Sequence, residues 1–239
     1  TLNFWTFCWV GVMQNTLISI VIRAKNEEKW INSCLFAVHC QDYPNFEIIL
    51  VDNDSTDRTL EYAEKYACKV VTISDEDFNF SRALNWGIKA TSGDLIAILS
   101  GHCIPVNDQW LSRMVMNFND PNVVAVYGKQ EPLPDSSSFD KRDLWTTFGL
   151  DRKIQKRDFF FHNANSMIRK NVWEEVSFSE DIHGVEDRDW AKKVLRNGSL
   201  IVYEPTARVF HHHGLHHNQS EARANRVVRM IELINKDLT

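Results

Sequence analysis

The stretch SIVIRAKNEEKWINSCLFAVHCQDYPNFEIILVDNDSTD, residues 19–57, decides the fold. It begins inside an apolar run rich in β-branched residues (17–25), which predicts a strand buried on both faces of a sheet. Residues 27–39 then repeat apolar side chains at helical spacing, and FEIILVD (46–52) predicts a second strand before the polar turn NDSTD. A strand, a helix and a second strand in this order predict a right-handed crossover between two parallel strands.

The same alternation continues along the chain. We predict helices over 57–67, 81–90 and 109–118, and strands over 69–73, 95–100 and 122–128. The predicted fold class is therefore α/β, with a mostly parallel central sheet, helices on both faces and a single domain. In such sheets ligands lie beyond the carboxyl ends of the strands, which places the site at the loops that follow residues 23, 52 and 100.

The second half of the chain is less regular. Residues 129–160 combine EPLPDSSSFD with DRKIQKRD, and we predict a long irregular or mobile excursion there, which in a compact domain is usually functional. Beyond it we predict a strand over 163–170, a helix over 186–197, a strand over 200–205 and an amphipathic helix over about 220–237. The pattern of this last helix favours packing on the domain over binding to a membrane surface.

Composition restricts the classes of function. The 239 residues carry a net charge of −5, which argues against a nucleic-acid-binding surface. Five scattered cysteines, an odd number without a paired metal-ligand spacing, predict reduced thiols in a cytosolic compartment. The apolar first dozen residues are too short to span a bilayer. We predict that residues 1–12 are an extension before a start near Met13, with a membrane-surface anchor as the alternative.

Two polar motifs lie at or beyond the predicted strand ends. The turn VDNDSTD places three carboxylates after a buried strand; turn and capping chemistry accounts for Asp57, whereas Asp52 lies where a ligand is expected. The run VFHHHGLHH (209–217) holds five of the nine histidines of the chain. Taken alone, this run is compatible with a metal site, a chance surface feature or half of an active site.

Several ordered motifs resemble those of family 2 glycosyltransferases, which have the GT-A fold. The likeness begins with the opening stretch, continues through FSRALNWGIKATSGDLIAILS (80–100), and resumes at GVEDRDWAKKVLRNG (184–198) and YEPTARVFHHHG (203–214). The resemblance implies transfer of a sugar, with inversion, from a nucleotide-activated donor to a hydroxyl of a glycan or glycolipid acceptor. In the family such transfer often builds bacterial surface polysaccharides, which implies a cytoplasmic protein that can associate with the inner face of the membrane.

The resemblance also assigns roles along the chain. Residues 13–128 would be the nucleotide-sugar-binding half, 129–218 the acceptor and catalytic half, and 219–239 a C-terminal amphipathic helix. Asp52 would read the nucleotide base. Arg82 and Asn85, on the helix before the fourth strand, would face the nucleotide or its phosphates, with a solvated arginine and a helix-capping asparagine as the alternatives. The implied donor-binding set is Arg23, Ala24, Asn26, Glu27, Asp52, Arg82, Asn85, Ser100 and Gly101.

The strand end at 100–102 departs from the family. Where the family has Asp-x-Asp and binds Mn²⁺ or Mg²⁺, this chain has Ser-Gly-His. The resemblance to members with Asp-x-His implies a metal held by His102 and by His211 or, alternatively, His213, with the last two histidines of the run left as loop surface. Imidazole ligands favour Mn²⁺ over the oxygen-preferring Mg²⁺. The alternative is that the imidazoles hydrogen-bond the diphosphate directly, without a metal.

The segment HGVEDRDW carries the implied catalytic pair. Its carboxylates also suit the first turn of a helix, where the helix dipole stabilises negative charge. By family position, Asp187 is the general base that deprotonates the acceptor hydroxyl and Glu186 positions the acceptor. Asn163, Asn165 and Trp145 are the acceptor-side candidates, with a satisfied loop asparagine and ordinary surface as the alternatives.

Two other functions compete with this one. The first is a transferase that needs no metal and uses an unusual donor, such as a CMP-activated sugar. The second follows from the missing aspartates, and is a catalytically inactive domain that binds a nucleotide or a glycan. Metal-enhanced binding and turnover of a donor distinguish the three.

Overall fold

The computed structural model describes residues 15–215 and 221–235. In the first half the elements are β1 (Ile18–Ala24), α1 (Ile31–His39), β2 (Phe46–Asp52), α2 (Thr59–Ala63), β3 (Lys69–Thr72), α3 (Phe80–Lys89), β4 (Leu95–Ser100), β5 (Cys103–Pro105) and α4 (Trp110–Val115), which a 3₁₀ turn (Met116–Asn119) extends. In the second half they are β6 (Val123–Pro132), α5 (Ser138–Thr147), β7 (Lys153–Gln155), β8 (Asn165–Arg169), α6 (Lys170–Glu175), α7 (Glu186–Arg196), β9 (Leu200–His211) and α8 (Glu221–Asn235).

One sheet organises the domain. Within the described residues, nine strands pair in the order β3-β2-β1-β4-β8-β6-β9-β5, with β7 added on β9. β3, β2, β1 and β4 are parallel neighbours, β8 runs antiparallel to both β4 and β6, and β6 and β9 are parallel again. The predicted single α/β domain with a mostly parallel sheet is confirmed, and β8 is the strand that joins its two halves.

Helices cover both faces of this sheet. Alternate residues of β1 point to opposite sides of it, and the apolar residues on each side pack against helices. Ile20 packs in one apolar cluster with Leu35 of α1 and Trp110 of α4, and Val21 packs in the other with Leu84 of α3. All five side chains are fully buried. Burial on both faces fixes the register of β1, so the carboxyl edge of the sheet is a rigid support for the loops beyond it.

Two element boundaries differ from the prediction in ways that matter for the site. α1 begins at Ile31 rather than at 27, because Asn26 adopts a φ of 53° and the Glu27 amide donates to Thr59 Oγ1 at 2.7 Å instead of joining a helix. β9 continues to His211 instead of ending at 205. The Glu27 side chain is therefore on a loop, and the first histidine of the run is on a strand.

The segment 129–160 is more ordered than predicted. Its start extends β6 and its middle forms α5, so the prediction of an irregular excursion is wrong there. Ser137 caps α5 by accepting a hydrogen bond from the Asp140 amide at 3.1 Å, and Leu144 anchors the helix in the core. The periodicity is weak because few apolar residues of the helix are buried, and Trp145 stays exposed. The sequence pattern also does not predict β5, β7 or α6.

The ends of the chain are described in part. The extension predicted for residues 1–12 and the surface loop predicted for His216 and His217 lie outside the described residues. The final helix is present as α8, and the Lys192 ammonium donates to the Ile234 carbonyl where α8 meets α7. In the part of the chain that the structure describes, no helix is both long and apolar enough to cross a bilayer.

Candidate active site

The carboxyl ends of β1, β2 and β4 meet at one edge of the sheet, as their parallel pairing requires. Ala24 is in register with Asp52, and Arg23 with Ser100. Gly101 then packs against the end of β1, since its amide donates to the Arg23 carbonyl at 2.8 Å and an added Cβ would lie 3.1 Å from that oxygen. A side chain at this position would push the turn away from the sheet.

The histidine run reaches the same edge because β5 pairs with the end of β9, which places Cys103 opposite His211. The Nε2 atoms of His102 and His211 lie 3.1 Å apart, and their ring planes are 4° from parallel. The His213 ring centroid lies 4.8 Å from that of His102 and 4.5 Å from that of His211. We call these three rings the histidine cluster.

Hydrogen bonds fix the orientation of the two facing rings. Glu27 Oε1 lies 2.6 Å from His102 Nδ1, and Gln130 Oε1 lies 2.7 Å from His211 Nδ1. Because an ionised carboxylate and an amide oxygen only accept hydrogen bonds, each Nδ1 carries a proton and donates it. Gln130 is oriented in turn, since its amide donates to His162 Nδ1 at 3.0 Å.

Both Nε2 atoms therefore present a lone pair, an arrangement that repels at 3.1 Å unless a proton or a metal ion lies between them. A separation of 3.1 Å suits one transition-metal ion with metal–nitrogen bonds of about 2.1 Å. The residues present thus fit a divalent metal, with Glu27 and Gln130 as the outer groups that orient its ligands. Cys103 Sγ, which the sequence prediction does not include, lies within 4.8 Å of the ligand atoms, and burial raises the pKa of its thiol well above the usual range.

Across the cleft from these rings, α7 begins with Glu186 and Asp187, which we call the acidic pair. The Asp187 carboxylate accepts hydrogen bonds from the backbone amide of Arg188 at 2.8 Å and from the backbone amide of Asn163 at 3.3 Å. Burial and then the charge of Glu186 raise the pKa of Asp187 to about 7, while Arg188 acts in the opposite direction. Arg23 Nη1 lies 3.9 Å from Glu186 Oε1. A carboxyl group with a pKa near neutrality is suited to accept a proton from a hydroxyl at physiological pH.

Glu186 of the acidic pair and two side chains beside it bury polar atoms that find no hydrogen-bond partner among the described residues. They are Arg23 (Nε and Nη1), Glu186 (Oε2) and Asn163 (Nδ2). The Arg23 guanidinium lies 5.3 Å from the Phe80 ring centroid, and burial lowers its pKa, partly offset by the acidic pair. A buried unpaired polar atom costs about 1–3 kcal/mol, so three such residues around one cleft indicate groups that a ligand satisfies.

The cleft collects a large part of the predicted site. The predicted residues that line it are Arg23, Ser100, His102, Asn163, Glu186, Asp187, His211 and His213. His162 and Phe80 line it too, although sequence reasoning did not single them out. Gln130, which orients His211, was missed as well: it lies between Lys129 and Glu131 in the polar end of β6, and only the structure shows that its amide is fully buried.

A second pocket adjoins the cleft on the β1–β2 side. Among its lining residues are the predicted Ala24 and Glu27, together with Phe78 and Asn53. Asp52 lies behind it: one carboxylate oxygen accepts from the Ser55 amide at 3.0 Å, and the other is buried without a described hydrogen-bond partner. The residue that reaches the pocket at the end of β2 is therefore Asn53, which the sequence analysis did not name.

Three predicted donor-binding residues are held elsewhere by their own hydrogen bonds. Asn26 accepts from the Thr56 amide at 2.8 Å and ties the two loops together. Arg82 donates to Glu180 Oε2 at 2.9 Å and to the Asp77 carbonyl at 2.7 Å. Asn85 is buried, donates to the Phe178 carbonyl at 2.9 Å and accepts from Trp173 Nε1 at 3.0 Å. The structure does not bring these side chains to the cleft.

Two acceptor-side candidates also lie apart from the cleft. Asn165 is fully buried inside the sheet, where it accepts from Trp110 Nε1 at 2.8 Å and donates to the carbonyls of Lys129 and Ala207 at 3.1 and 3.0 Å. Trp145 is 62% exposed on α5 and does not line the cleft. A sequence pattern cannot separate a structural asparagine from a binding one, since both are polar residues at a strand end.

Comparison with known sequences gives a consistent family. The profile of "Glycosyl transferase family 2" matches residues 19–177. Glycosyltransferase AglE of Haloferax volcanii is 32% identical over 202 residues, which cover 80% of this chain and 66% of that protein. The O-antigen chain rhamnosyltransferase WbaN of Salmonella anatum is 27% identical over 196 residues, covering 77% of this chain and 62% of that protein.

A third relative is named for a lipid-linked acceptor. It is the dolichyl N-acetyl-α-D-glucosaminyl phosphate 3-β-D-2,3-diacetamido-2,3-dideoxy-β-D-glucuronosyltransferase of Methanococcus voltae, 38% identical over 210 residues, with coverage of 79% of this chain and 64% of that protein. The chain thus spans 62–66% of the length of these three relatives.

Solved structures show the same fold. The mannosyltransferase PcManGT from Pyrobaculum calidifontis in complex with GDP-Man and Mn²⁺ superposes with a TM-score of 0.67 at 19% identity, over 91% of this chain and 62% of that chain. S. aureus TarS 1-349 in complex with UDP-GlcNAc gives a TM-score of 0.66 at 18% identity, over 93% and 68%. At such identities the likeness establishes the GT-A fold and nothing finer.

Proposed function

The chain belongs to glycosyl transferase family 2, and from that premise we propose that its cleft transfers a sugar, with inversion, from a nucleotide-activated donor to a hydroxyl of a glycan or glycolipid acceptor. The observation that carries the proposal is that the histidine cluster and the acidic pair border a single cleft. The first suits a charged leaving group, and the second suits a hydroxyl nucleophile.

The donor nucleoside is proposed to occupy the pocket beside the cleft. Phe78 and Phe80 give it an aromatic wall, and Asn53 and Lys25 give it polar groups at the strand ends. Asp52 remains the predicted base reader, and its buried, unpaired oxygen supports an interaction with a ligand N–H once a donor orders this edge. GDP-Man and UDP-GlcNAc are donors bound by structural relatives, and the donor of this chain is proposed only as a nucleotide-activated sugar.

The proposed metal ligands are His102 and His211, with His213 beside them. Their nitrogens favour Mn²⁺ over Mg²⁺, since Mg²⁺ prefers oxygen ligands. When bound, the ion supplies positive charge that stabilises the departing diphosphate. Glu27 and Gln130 hold the imidazoles in the tautomer that leaves Nε2 free of a proton.

Asp187 is proposed as the general base. It takes the proton from the acceptor hydroxyl as that oxygen bonds to the anomeric carbon, while the bond from this carbon to the diphosphate oxygen breaks with its electron pair. Glu186, kept close to Arg23, positions the acceptor. Asn163 lies beside Asp187 and has a buried amide without a described partner, which supports a hydrogen bond to a sugar hydroxyl.

The biological setting is proposed from the relatives. Those with printed acceptors act on O-antigen chains or on a dolichyl-linked sugar phosphate, so we place this chain in the assembly of a surface glycan. A lipid-linked acceptor favours peripheral association with a membrane, at its cytoplasmic face. The reduced thiols predicted from the sequence agree with that compartment.

Calorimetric titration with UDP-, GDP-, CMP- and dTDP-sugars, each with and without Mn²⁺, tests the proposal. We expect one nucleotide class to bind, more tightly with Mn²⁺, and to be hydrolysed slowly without an acceptor. Binding and turnover that are indifferent to metal would instead support a metal-independent transferase. Binding without turnover, unchanged in the Asp187→Asn variant, would support an inactive nucleotide-binding domain and overturn the transferase.

A further inference from the structure

Cys103 lies beside the facing imidazoles and has no part in the proposed reaction. It is opposite His211 in the antiparallel pairing of β5 with β9, so the two side chains project from the same face of the sheet. One nitrogen of His102, one nitrogen of His211 and the Cys103 sulfur all lie within 4.8 Å of one another. Among the described residues, these are the three metal-ligating side chains that the fold brings this close together.

The sheet holds the cysteine in place. Only Gly101 and His102 separate the end of β4 from Cys103, the first residue of β5, and the Gly101 amide donates to the Arg23 carbonyl at 2.8 Å. Cys103 therefore cannot shift without the strands on either side of it. His213, the other candidate for a third ligand, lies on the loop after β9. A ligand on a strand is positioned more precisely than a ligand on a loop.

The surroundings of Cys103 distinguish it from an ordinary core cysteine. Cys34 and Cys103 are both fully buried in the same apolar cluster, where a thiol packs as a small hydrophobic group. Cys103 differs from Cys34 because two imidazole nitrogens lie within 4.8 Å of its sulfur. Both imidazoles are oriented through Nδ1, so the nitrogens that remain for an ion are the two Nε2 atoms.

The separations are close to those around a bound ion. Metal–nitrogen bonds of about 2.1 Å and metal–sulfur bonds of about 2.3 Å place the ligand atoms of a tetrahedral ion roughly 3.4–3.6 Å apart. The two nitrogens lie 3.1 Å apart, and the separations that involve the sulfur need to shorten by no more than roughly 1.2 Å. Small side-chain rotations supply a shift of this size.

We propose that Cys103 is the third protein ligand of the ion held by His102 and His211, and that its sulfur directs the site toward Zn²⁺ and Co²⁺. On binding, the thiol proton goes to the buffer and the sulfur bonds the ion as a thiolate. Thiolate suits Zn²⁺, whereas Mn²⁺ is better suited by carboxylates, carbonyls and water. Three protein ligands leave one position of a tetrahedral ion for a substrate oxygen. The inference rests on the proposed function, since it adds a ligand to the ion site proposed there.

Titration of the metal-free protein with Co²⁺, in the absence of oxygen, tests for the sulfur bond. A cobalt–thiolate bond has a charge-transfer absorption in the near ultraviolet that imidazole ligands do not produce. We expect this absorption to saturate with a single ion per chain, and added Zn²⁺, which has a filled d shell, to abolish it. Co²⁺ binding to the parent protein without this absorption would overturn the proposal, whether or not any variant folds.

Matched cysteine variants locate the bond. Cys103→Ser should lose the charge-transfer absorption, because a hydroxyl replaces the sulfur. Cys34→Ser, which changes the other fully buried thiol of the same apolar cluster, should keep it. An absorption that survives in Cys103→Ser would assign the sulfur to another cysteine and overturn the proposal.

Calorimetry with Zn²⁺ and with Mn²⁺ tests the selectivity. Cys103→Ser should weaken Zn²⁺ binding about 100-fold or more and Mn²⁺ binding less than about tenfold, because the sulfur contributes mainly to the softer ion. Equal losses for the two ions would show that the substitution only disturbs the imidazoles, and would overturn the selective role of the sulfur.

His102→Ala separates this inference from the proposed function. Loss of both ions in His102→Ala, together with unchanged Zn²⁺ affinity in Cys103→Ser, would contradict the sulfur ligand alone and leave the histidine site. A parent protein that binds none of these ions would contradict the sulfur ligand and the proposed metal together. The donor titration would then decide whether the chain is a metal-independent transferase.

Discussion

The two sides of the cleft are built differently. On the histidine side, each facing imidazole is held through its Nδ1, by Glu27 or by Gln130. On the acidic side, Arg23 and Glu186 bury polar atoms that no described residue satisfies. Preset ligands suit a cation, which needs the same lone pairs in every turnover. Unpaired groups suit hydroxyls, which arrive and leave with the substrates.

The largest expected effect is on the acidic side. Asp187→Asn keeps the size of the side chain and removes the proton acceptor, so kcat for transfer should fall by about 10²–10⁴-fold with little change in donor affinity. Steady-state kinetics with the donor identified by titration measure this. Asp189→Asn is the matched control, because Asp189 lies in the same helical turn and pairs with Lys193 at 2.7 Å. Equal losses in both variants would show that the turn, not the base, is responsible.

The next effect is on the histidine side and concerns metal, not proton transfer. His102→Ala removes one of the two facing nitrogens, so Mn²⁺ stimulation of donor binding should disappear and Mn²⁺ affinity should fall more than about 100-fold. Calorimetry with Mn²⁺ alone gives the affinity. His39→Ala, on α1 outside the cleft lining, is the control. Unchanged metal dependence in His102→Ala would leave the fold intact and remove the metal site.

Glu27→Gln tests whether the fixed tautomer matters. A neutral amide oxygen can still accept from His102 Nδ1, as Gln130 does from His211, but it stabilises that proton less than a carboxylate does. We expect Mn²⁺ affinity to fall about 10–100-fold, the range for groups that orient metal ligands. Glu28→Gln, which changes an exposed neighbour that contacts Arg58, should have no effect. If both variants bind Mn²⁺ with the affinity of the parent protein, the hydrogen bond from Glu27 does not prepare His102 for metal binding, and the proposed difference between the two sides of the cleft fails.

The sequence predicts the strands on the histidine side of the cleft better than it predicts the residues around the acidic pair. β1, β2 and β4 are apolar runs rich in β-branched residues, and such a pattern predicts both that the segment is a strand and where it ends. Their parallel order places the ends of these strands together, whereas His102 comes near the end of β9 through the pairing of β5 with β9, which the sequence pattern does not predict. The contact at 3.1 Å, however, depends on β9 extending six residues beyond its predicted end, which the proline at 205 conceals because proline usually marks the end of a strand.

Residues that act through a partner are the ones that sequence patterns miss. Glu27 lines the pocket as predicted but also orients a histidine, which the sequence does not indicate, and Gln130 lies in a strand without any motif. Asn85 and Asn165 look like binding residues, yet each uses its amide inside the core. An amide has the same identity in the sequence whether it pairs with the protein or with a ligand. Only tertiary contacts separate the two cases.

A smaller effect concerns pH on the acidic side. Because burial and the charge of Glu186 raise the pKa of Asp187 to about 7, the base is protonated below that pH, and kcat should fall about tenfold for each pH unit. Glu186→Gln removes the neighbouring charge, so the acidic limb of the profile should move to lower pH. Measuring Mn²⁺ binding over the same range accounts for protonation of the histidines. An acidic limb that stays in place in Glu186→Gln would contradict the coupling between the two carboxyl groups.

The smallest expected effect is at Arg82, which its hydrogen bonds to Glu180 and Asp77 hold outside the cleft. Its guanidinium pairs with Glu180 at 2.9 Å, and both side chains are roughly one-third exposed, so Arg82→Ala should lower the free energy of unfolding by less than about 1 kcal/mol. Donor affinity should change less than twofold, which is about 0.4 kcal/mol.

Glu180→Gln supplies the decisive control. If Arg82 leaves Glu180 to bind the donor phosphates, as the family resemblance implies, then Arg82→Ala weakens the donor and Glu180→Gln strengthens it, because the arginine no longer has a competing partner. If the ion pair is only structural, both variants lose a little stability and neither changes donor affinity. Changes of opposite sign in donor affinity would therefore return Arg82 to the donor site. Equal, small changes in donor affinity would confirm that Arg82, which its own hydrogen bonds hold outside the cleft, does not bind the donor.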